Sequence, residues 1–295
     1  MTGLHELAPA KVNLCLFVGP QRADGRHELV TVFQPVTLAD RVTLQPAPLG
    51  ASGDQIHCPG IDGDNLAAWA LRALRERVGW AGSPVRVDID KRIPVAAGMA
   101  GGSADAGAAL RLGARAAGVR DQKVLLDIAA ALGADVPAQV RPGRYLATGV
   151  GERLRALPDP EPYGVLVLRL PAALSTADVY READRLGLPR NASGLADRLE
   201  AAERALAGGG ELPDDLICND LQDAARALCP EIDAALADAR RAGADHALVC
   251  GSGPTVVGLF REPEGARAAA VQLGRRDPPP LAVQTWAAAP GGATA

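Results

Sequence analysis

Pro94-Val95-Ala96-Ala97-Gly98-Met99-Ala100-Gly101-Gly102-Ser103-Ala104-Asp105 is the stretch on which the reading of this chain turns. It follows PVRVDID (84–90), whose strict alternation predicts a strand. It opens SADAGAALRLGARAAG (103–118), an Ala-rich predicted helix with Ser103 as its N-cap. Glycines in such a link let backbone N–H groups approach an anion, and the helix N-terminus adds partial positive charge. Diphosphate binding follows naturally. No Gly-Lys-Ser/Thr closes the stretch, so it is not a Walker A loop, nor is it GxGxxG. The same composition also suits a Gly/Ala loop packed closely against a neighbouring strand.

Working outward, residues 5–18 (HELAPAKVNLCLFV) and 28–45 (ELVTVFQPVTLADRVTLQ) carry the β-branched, alternating runs of strands, joined by a turn at Arg22–His27 centred on Asp24-Gly25. A helix is expected over 64–78 from an Asp/Asn cap, with Leu66, Ala70, Leu74 and Val78 on one face, and another over Gln122–Leu132, ended by Gly133. Three prolines interrupt the pattern at 156–163. Beyond them come a buried strand (GVLVLRL), helices near 176–187, 193–207, 213–228 and 231–242, two apolar runs around Gly251-Ser252-Gly253, a helix near 263–274 and a strand near 281–286. Gly208–Gly210 reads as a flexible connection, and APGGATA at the end as a frayed tail. Helices and strands mix without strict alternation, so the expected class is α+β in two domains, 1–157 and 158–295.

The 295 residues suffice for a sizeable core without disulfides or metals. A net charge of −4 and 3% aromatic residues argue against a protein that coats nucleic acid or anionic membrane. Five scattered cysteines and four scattered histidines form no CxxC or HExxH pattern, which reads as reduced thiols in a cytoplasmic protein and no metal motif. Polar and charged residues near the start exclude a secretory signal, and no apolar run is long enough to span a membrane.

Individual positions invite two readings each. Only Lys11, Lys91 and Lys123 of the 31 basic residues are lysine, and Lys11 stands inside an apolar strand two residues before Asn13. It either faces a cleft or an anion, or blunts a solvent-facing edge. Asp135, after Gly133-Ala134, could accept a proton from a substrate hydroxyl or merely close a turn. Gly251-Ser252-Gly253 is either a second glycine loop facing the first across a cleft or a plain hairpin. His27 is either a ligand contact or a polar loop residue.

Taken in order, APAKVNLCL (8–16), RADGRHELVTVFQ (22–34), PVAAGMAGGSADAGAA (94–109), LGADVP (132–137), NDLQ (219–222) and CGSGPTVVGLF (250–260) resemble the superfamily of galactose, homoserine, mevalonate and phosphomevalonate kinases. RADGRHELVTVFQ and LGADVP point to the branch that acts on a cytidine-diphosphate-linked sugar alcohol of non-mevalonate isoprenoid synthesis. The resemblance implies a ribosomal-protein-S5-like N-terminal half, a ferredoxin-like C-terminal half and an active site in the cleft between them. It implies transfer of the ATP γ-phosphate to the C2 hydroxyl of diphosphocytidyl-methylerythritol, with Mg²⁺. Asp135 would then be the base and Lys11 the cation beside it, with Pro94–Ala104 holding the ATP phosphates and Ser103 reaching a phosphate or the metal. Asn13, Arg26, His27 and the Gly251-Ser252-Gly253 loop would contact the substrate. Four positions depart from the family pattern: Arg26 stands where many members carry Tyr, Ala100 and Ala104 replace a glycine and a hydroxyl, and Cys250 replaces a serine.

Overall fold

The computed structural model describes residues 3–286 except 62 and 64. The expected C-terminal tail therefore lies outside the described residues, as does the Asp64 half of the expected helix cap. The chain divides into two compact units, one of 1–10, 38–95 and 100–142, the other of 11–37, 96–99 and 143–295. Two long strands, β1 (Leu4–Gln21) and β2 (His27–Pro46), pass through both.

In the first unit the C-terminal part of β2 pairs antiparallel with β4 (Val85–Asp90), Arg41 opposite Asp90, and β3 (Gln55–His57) adds to β4 in parallel. Four helices complete it: α1 (Leu66–Val78), α2 (Gly101–Ala117), α3 (Gln122–Leu132) and α4 (Val136–Val140). Asn65 caps α1, and its buried face is Ala67, Ala70, Leu71 and Leu74, turned slightly from the expected stripe. Small residues bury nearly the whole of α2, so neighbours approach its backbone closely. A Cβ added at Gly107 would come within 2.4 Å of the Gln139 carbonyl oxygen on α4. The helix that begins at the glycine-rich loop is thereby fixed against the one that follows Asp135.

In the second unit the N-terminal part of β2 pairs antiparallel with β5 (Tyr145–Gly149), and β5 with β6 (Arg153–Ala156). A second sheet is built from β7 (Gly164–Leu168), β8 (His246–Val249), β9 (Val256–Phe260) and β10 (Leu281–Gln284) in the antiparallel order β10-β7-β9-β8. That is the fourth-first-third-second order of a ferredoxin-like unit. Helices α5 (Thr176–Leu186), α6 (Ala192–Leu206), α7 (Gln222–Leu228), α8 (Glu231–Arg241) and α9 (Pro263–Gln272) accompany it. Leu166 and Leu168 of β7, Val179 of α5, Ile232 and Leu236 of α8 and Val256 of β9 share one core, each such side chain contributing about 1.5–3 kcal/mol by leaving water.

Three expectations are corrected. Residues 213–228 do not form one helix: a 3-10 turn at Asp214–Leu216 and α7 flank an extended Cys218-Asn219-Asp220. There the backbone pairs with β1, Leu16 N donating to Cys218 O (2.9 Å) and Asp220 N to Leu16 O (2.9 Å), which a helix could not do. Ser103 is not an N-cap, because α2 starts at Gly101 after Ala100, whose φ of 58° is left-handed. The β5–β6 hairpin and the short β3 and α4 were not anticipated, each being too brief to show a period.

Candidate active site

Lys11 is only 6% exposed, and the solvent-facing-edge reading falls with that. On a strand, residues two apart share a face, and Lys11 Nζ donates to Asn13 Oδ1 at 2.8 Å. Asn13 Nδ2 donates to Thr31 Oγ1 (2.8 Å), which donates to Cys15 O (2.6 Å), so β1 and β2 lock the pair in place. The ammonium also stands 3.5 Å from the Gly98 carbonyl oxygen and 5.1 Å from the centre of the Phe33 ring, and Lys11 N donates to Met99 O at 3.1 Å. A buried ammonium is costly unless it meets hydrogen-bond acceptors and opposite charge, so its place here is a built one.

The loop that Lys11 touches has an unusual backbone. Ala96 (φ 56°), Gly98 (φ 69°) and Ala100 (φ 58°) are left-handed, one residue in two. Alternation of this kind turns successive N–H groups toward one side, the geometry of anion-binding nests. The loop then enters α2, a 17-residue helix with no side-chain cap, whose first-turn N–H groups carry the positive end of the helix dipole. Ser103 lies within that first turn.

The second glycine loop does not lie across a cleft from Ala96–Met99 but abuts it. A Cβ at Gly98 would come within 2.3 Å of Cys250 O, and one at Gly251 within 3.2 Å of Gly98 O and 3.7 Å of Asn13 Oδ1. Gly251 (φ 58°) and Gly253 (φ 78°) are left-handed, and Gly253-Pro254 is a cis peptide. Asn219 clamps this loop, its Nδ2 donating to Val249 O (2.8 Å) and Gly251 O (2.7 Å). Ser252 Oγ lies 3.0 Å from Thr176 Oγ1 at the start of α5.

His27, 5% exposed, hydrogen-bonds through Nε2 to Asp184 Oδ1 (2.8 Å) and stacks on Tyr180, with centroids 5.4 Å apart. It is not a free loop residue. Arg26, by contrast, extends into solvent, held by Asp24 at 2.9 Å. No spacing signal marks Tyr180 and Asp184, which lie on one face of α5 but far from His27 along the chain.

In the first unit Asp135 sits between Gly133, which ends α3, and Val136, which starts α4, and its side chain does not cap that helix. The loop end of α2 rests on a charged trio that sequence reasoning passed over. Lys91 Nζ donates to Asp40 Oδ2 (2.5 Å) and Asp105 Oδ2 (2.8 Å), while Asp40 Oδ1 accepts from Arg92 N (2.5 Å) and Ile93 N (2.8 Å). Asp40 thus pins the entry to the loop and Asp105 the first turns of the helix leaving it. Burial pushes the Asp105 carboxyl up to about 7, against the pull of Lys91, with Asp40 adding to the push. Burial works against the Lys91 ammonium, but Asp105 and Asp40 outweigh it and its pKa is raised. The hint in the sequence was Asp40, a carboxylate in an otherwise apolar strand.

A loop of alternating left-handed residues that enters an uncapped helix, beside a buried lysine, has the form that a phosphotransferase of small molecules requires. The family described as GHMP kinases N terminal domain matches residues 65–143, and that described as GHMP kinases C terminal matches 195–278. The 4-diphosphocytidyl-2-C-methyl-D-erythritol kinase of Kineococcus radiotolerans is 43% identical over 282 residues, covering 90% of this chain and 84% of that one. Its Streptomyces coelicolor counterpart is 44% identical over 271 residues, 88% of each. A crystal structure of 4-(cytidine 5'-diphospho)-2C-methyl-D-erythritol kinase superposes with a TM-score of 0.78 at 35% identity, covering 97% of this chain and all of that one. Leishmania major mevalonate kinase, at 16% identity and TM-score 0.71, shares the fold. The chain belongs to the GHMP kinases and, among them, to the 4-diphosphocytidyl-2-C-methyl-D-erythritol kinase family.

Proposed function

We infer that the protein phosphorylates the C2 hydroxyl of 4-diphosphocytidyl-2-C-methyl-D-erythritol at the expense of ATP, in non-mevalonate isoprenoid precursor synthesis. The observation that carries the chemistry is the buried Lys11 ammonium against Gly98 in a loop of alternating φ. Phosphoryl transfer asks a protein for positioning and charge stabilisation more than for covalent steps.

In this reading Pro94–Ala104 cradles the ATP phosphates through backbone N–H groups and the start of α2. Lys11 steadies charge on the acceptor oxygen and the transferred group. Asp135 takes the proton of the tertiary alcohol, a poor nucleophile without such help. Asn13, Arg26, His27 and Gly251-Ser252-Gly253 contact the substrate. The His27 ring, fixed by Asp184 and Tyr180, offers its remaining nitrogen to a cytosine edge. Among the described residues no three His, Cys, Asp or Glu side chains gather to hold a metal. That fits a Mg²⁺ carried mainly by the nucleotide's phosphates, with Ser103 the side chain nearest the cradle by sequence. Mg²⁺ supplies charge neutralisation there. No helix among the described residues is long and apolar enough to cross a membrane, and we place the enzyme in the cytoplasm, without nucleic-acid partners. As sequential modules the halves divide near residue 157, each half containing one of the matched family segments.

Release of ADP by the purified protein with Mg-ATP tests the assignment, offering diphosphocytidyl-methylerythritol, homoserine, mevalonate and galactose in parallel. Turnover is expected with the first alone; turnover with another alcohol instead moves the function to a sister kinase. Asp135→Asn should lower kcat by about 10²–10⁴ while leaving ATP affinity within a few-fold. A near-wild-type kcat removes Asp135 from the base role.

A further inference from the structure

A cavity of about 460 Å³ lies in the second unit, within the range of small-molecule sites. Leu14 of β1 lines it, together with Leu212, Ile217, Leu259 and Phe260. Strand alternation puts Leu14 on the face of β1 opposite Lys11 and Asn13, so the cavity is separate from the phosphate loop.

Its polar lining is unusual. Arg144, only 3% exposed, borders the cavity, and its guanidinium has no carboxylate within ion-pair distance among the described residues. Arg144 Nε is buried without a hydrogen-bond partner, and so is the Tyr163 hydroxyl beside the same cavity. A buried guanidinium is costly unless an anion meets it. Arginines less buried than Arg144 find partners: Arg111 meets Glu6 and the Gln139 carbonyl, Arg190 meets Asp220, and Arg169 donates through Nη2 to the Pro279 carbonyl at 3.3 Å, though its Nε too is buried without a partner. The rim is mostly of the opposite sign, with the exposed carboxylates of Glu161, Glu211, Asp214 and Asp245 against one exposed guanidinium, Arg261. His246 is engaged with Asp214 at 3.2 Å, and Asp245 accepts from the Arg261 backbone at 3.0 Å. One inner cation behind an acidic rim rejects polyanions such as a nucleotide and leaves room for a single negative charge.

We propose that this cavity is a second ligand site, taking a small organic monocarboxylate whose carboxylate meets Arg144 and Tyr163 and whose compact apolar body lies against Leu14, Ile217, Leu259 and Phe260. Calorimetric titration and thermal denaturation of the full chain with hexanoate, hexylamine and inorganic phosphate test it. Hexanoate should saturate at one site, with Kd below about 10 mM, and raise Tm, while hexylamine and phosphate do neither. Arg144→Met, which removes an uncompensated buried charge and should keep or raise the unliganded Tm, should weaken hexanoate about tenfold or more. Tyr163→Phe, which keeps the ring, should weaken it by a smaller factor. No saturable hexanoate binding overturns the proposal. So does equal hexanoate affinity in both variants, or hexylamine or phosphate binding as tightly as hexanoate. None of these readouts uses kinase activity, so failure here leaves the phosphotransferase reading untouched.

Discussion

The loop at 94–104 and the loop at 250–254 are both rich in glycine and meet at Gly98, yet their glycines serve different ends. In the first, left-handed φ values fall on Ala96 and Ala100 as well as Gly98. An L-residue there costs about 1–2 kcal/mol, and the return is a run of N–H groups entering an uncapped helix. In the second, Gly251 and Gly253 are left-handed between two strands, and Asn219 bonds the loop from behind. One loop holds strain and presents donors; the other is braced and supports its neighbour. Residue type alone does not separate a binding loop from its buttress; the hydrogen-bond partners do.

Four substitutions probe that contrast. Lys11→Met removes the buried cation beside the first loop and, in the role proposed for it, should lower kcat by about 10²–10³, the scale for one transition-state stabiliser; an unchanged kcat makes Lys11 a packing residue. Gly98→Ala sets a methyl 2.3 Å from Cys250 O at a φ of 69°. It should cost about 2–4 kcal/mol in denaturant unfolding, and a loss below 1 kcal/mol would mean the loops part easily. Asn219→Ala deletes two hydrogen bonds of the buttress and should destabilise by about 2 kcal/mol. Its KM for ATP should rise while kcat moves less; the reverse split would place Asn219 in the chemistry instead. Smallest is Ala100→Gly, where relief of left-handed strain offsets the extra entropy of glycine in the unfolded chain. Unfolding should show a gain of at most about 1 kcal/mol, and a clear loss would deny that Ala100 is strained.

Much of this was readable from local pattern. The strands at 5–18 and 28–45, Gln122–Leu132 with Gly133, and the ordered motifs around Lys11 and Asp135 announce themselves through period, caps and glycine placement. The break at Cys218–Asp220 was not readable, because backbone pairing with Leu16, two hundred residues away, overrides a helical pattern. Ser103 is a good N-cap by type, but the geometry of the preceding loop moves the cap three residues back, to Ala100. The Lys91–Asp40–Asp105 trio and the Tyr180–His27–Asp184 group assemble from distant segments, and no spacing rule joins them. Arg26 turns to Asp24, and Ala100 takes the left-handed conformation that favours a glycine.

The path of the chain between the two units bears on how the protein is made. It passes from one to the other after residues 10, 37, 95, 99 and 142. During synthesis every part of the first unit has been translated by residue 142. Residues 11–37, however, find late partners: Val36 bridges to Thr285, and Trp286 N donates to Pro35 O at 2.8 Å. The strand β2, which makes these contacts through Pro35 and Val36, therefore completes them only after residues 285 and 286 have been made, and contacts so distant in sequence form slowly. A messenger truncated before residue 219 would yield a first unit with all its segments and a loop at 96–99 without its buttress.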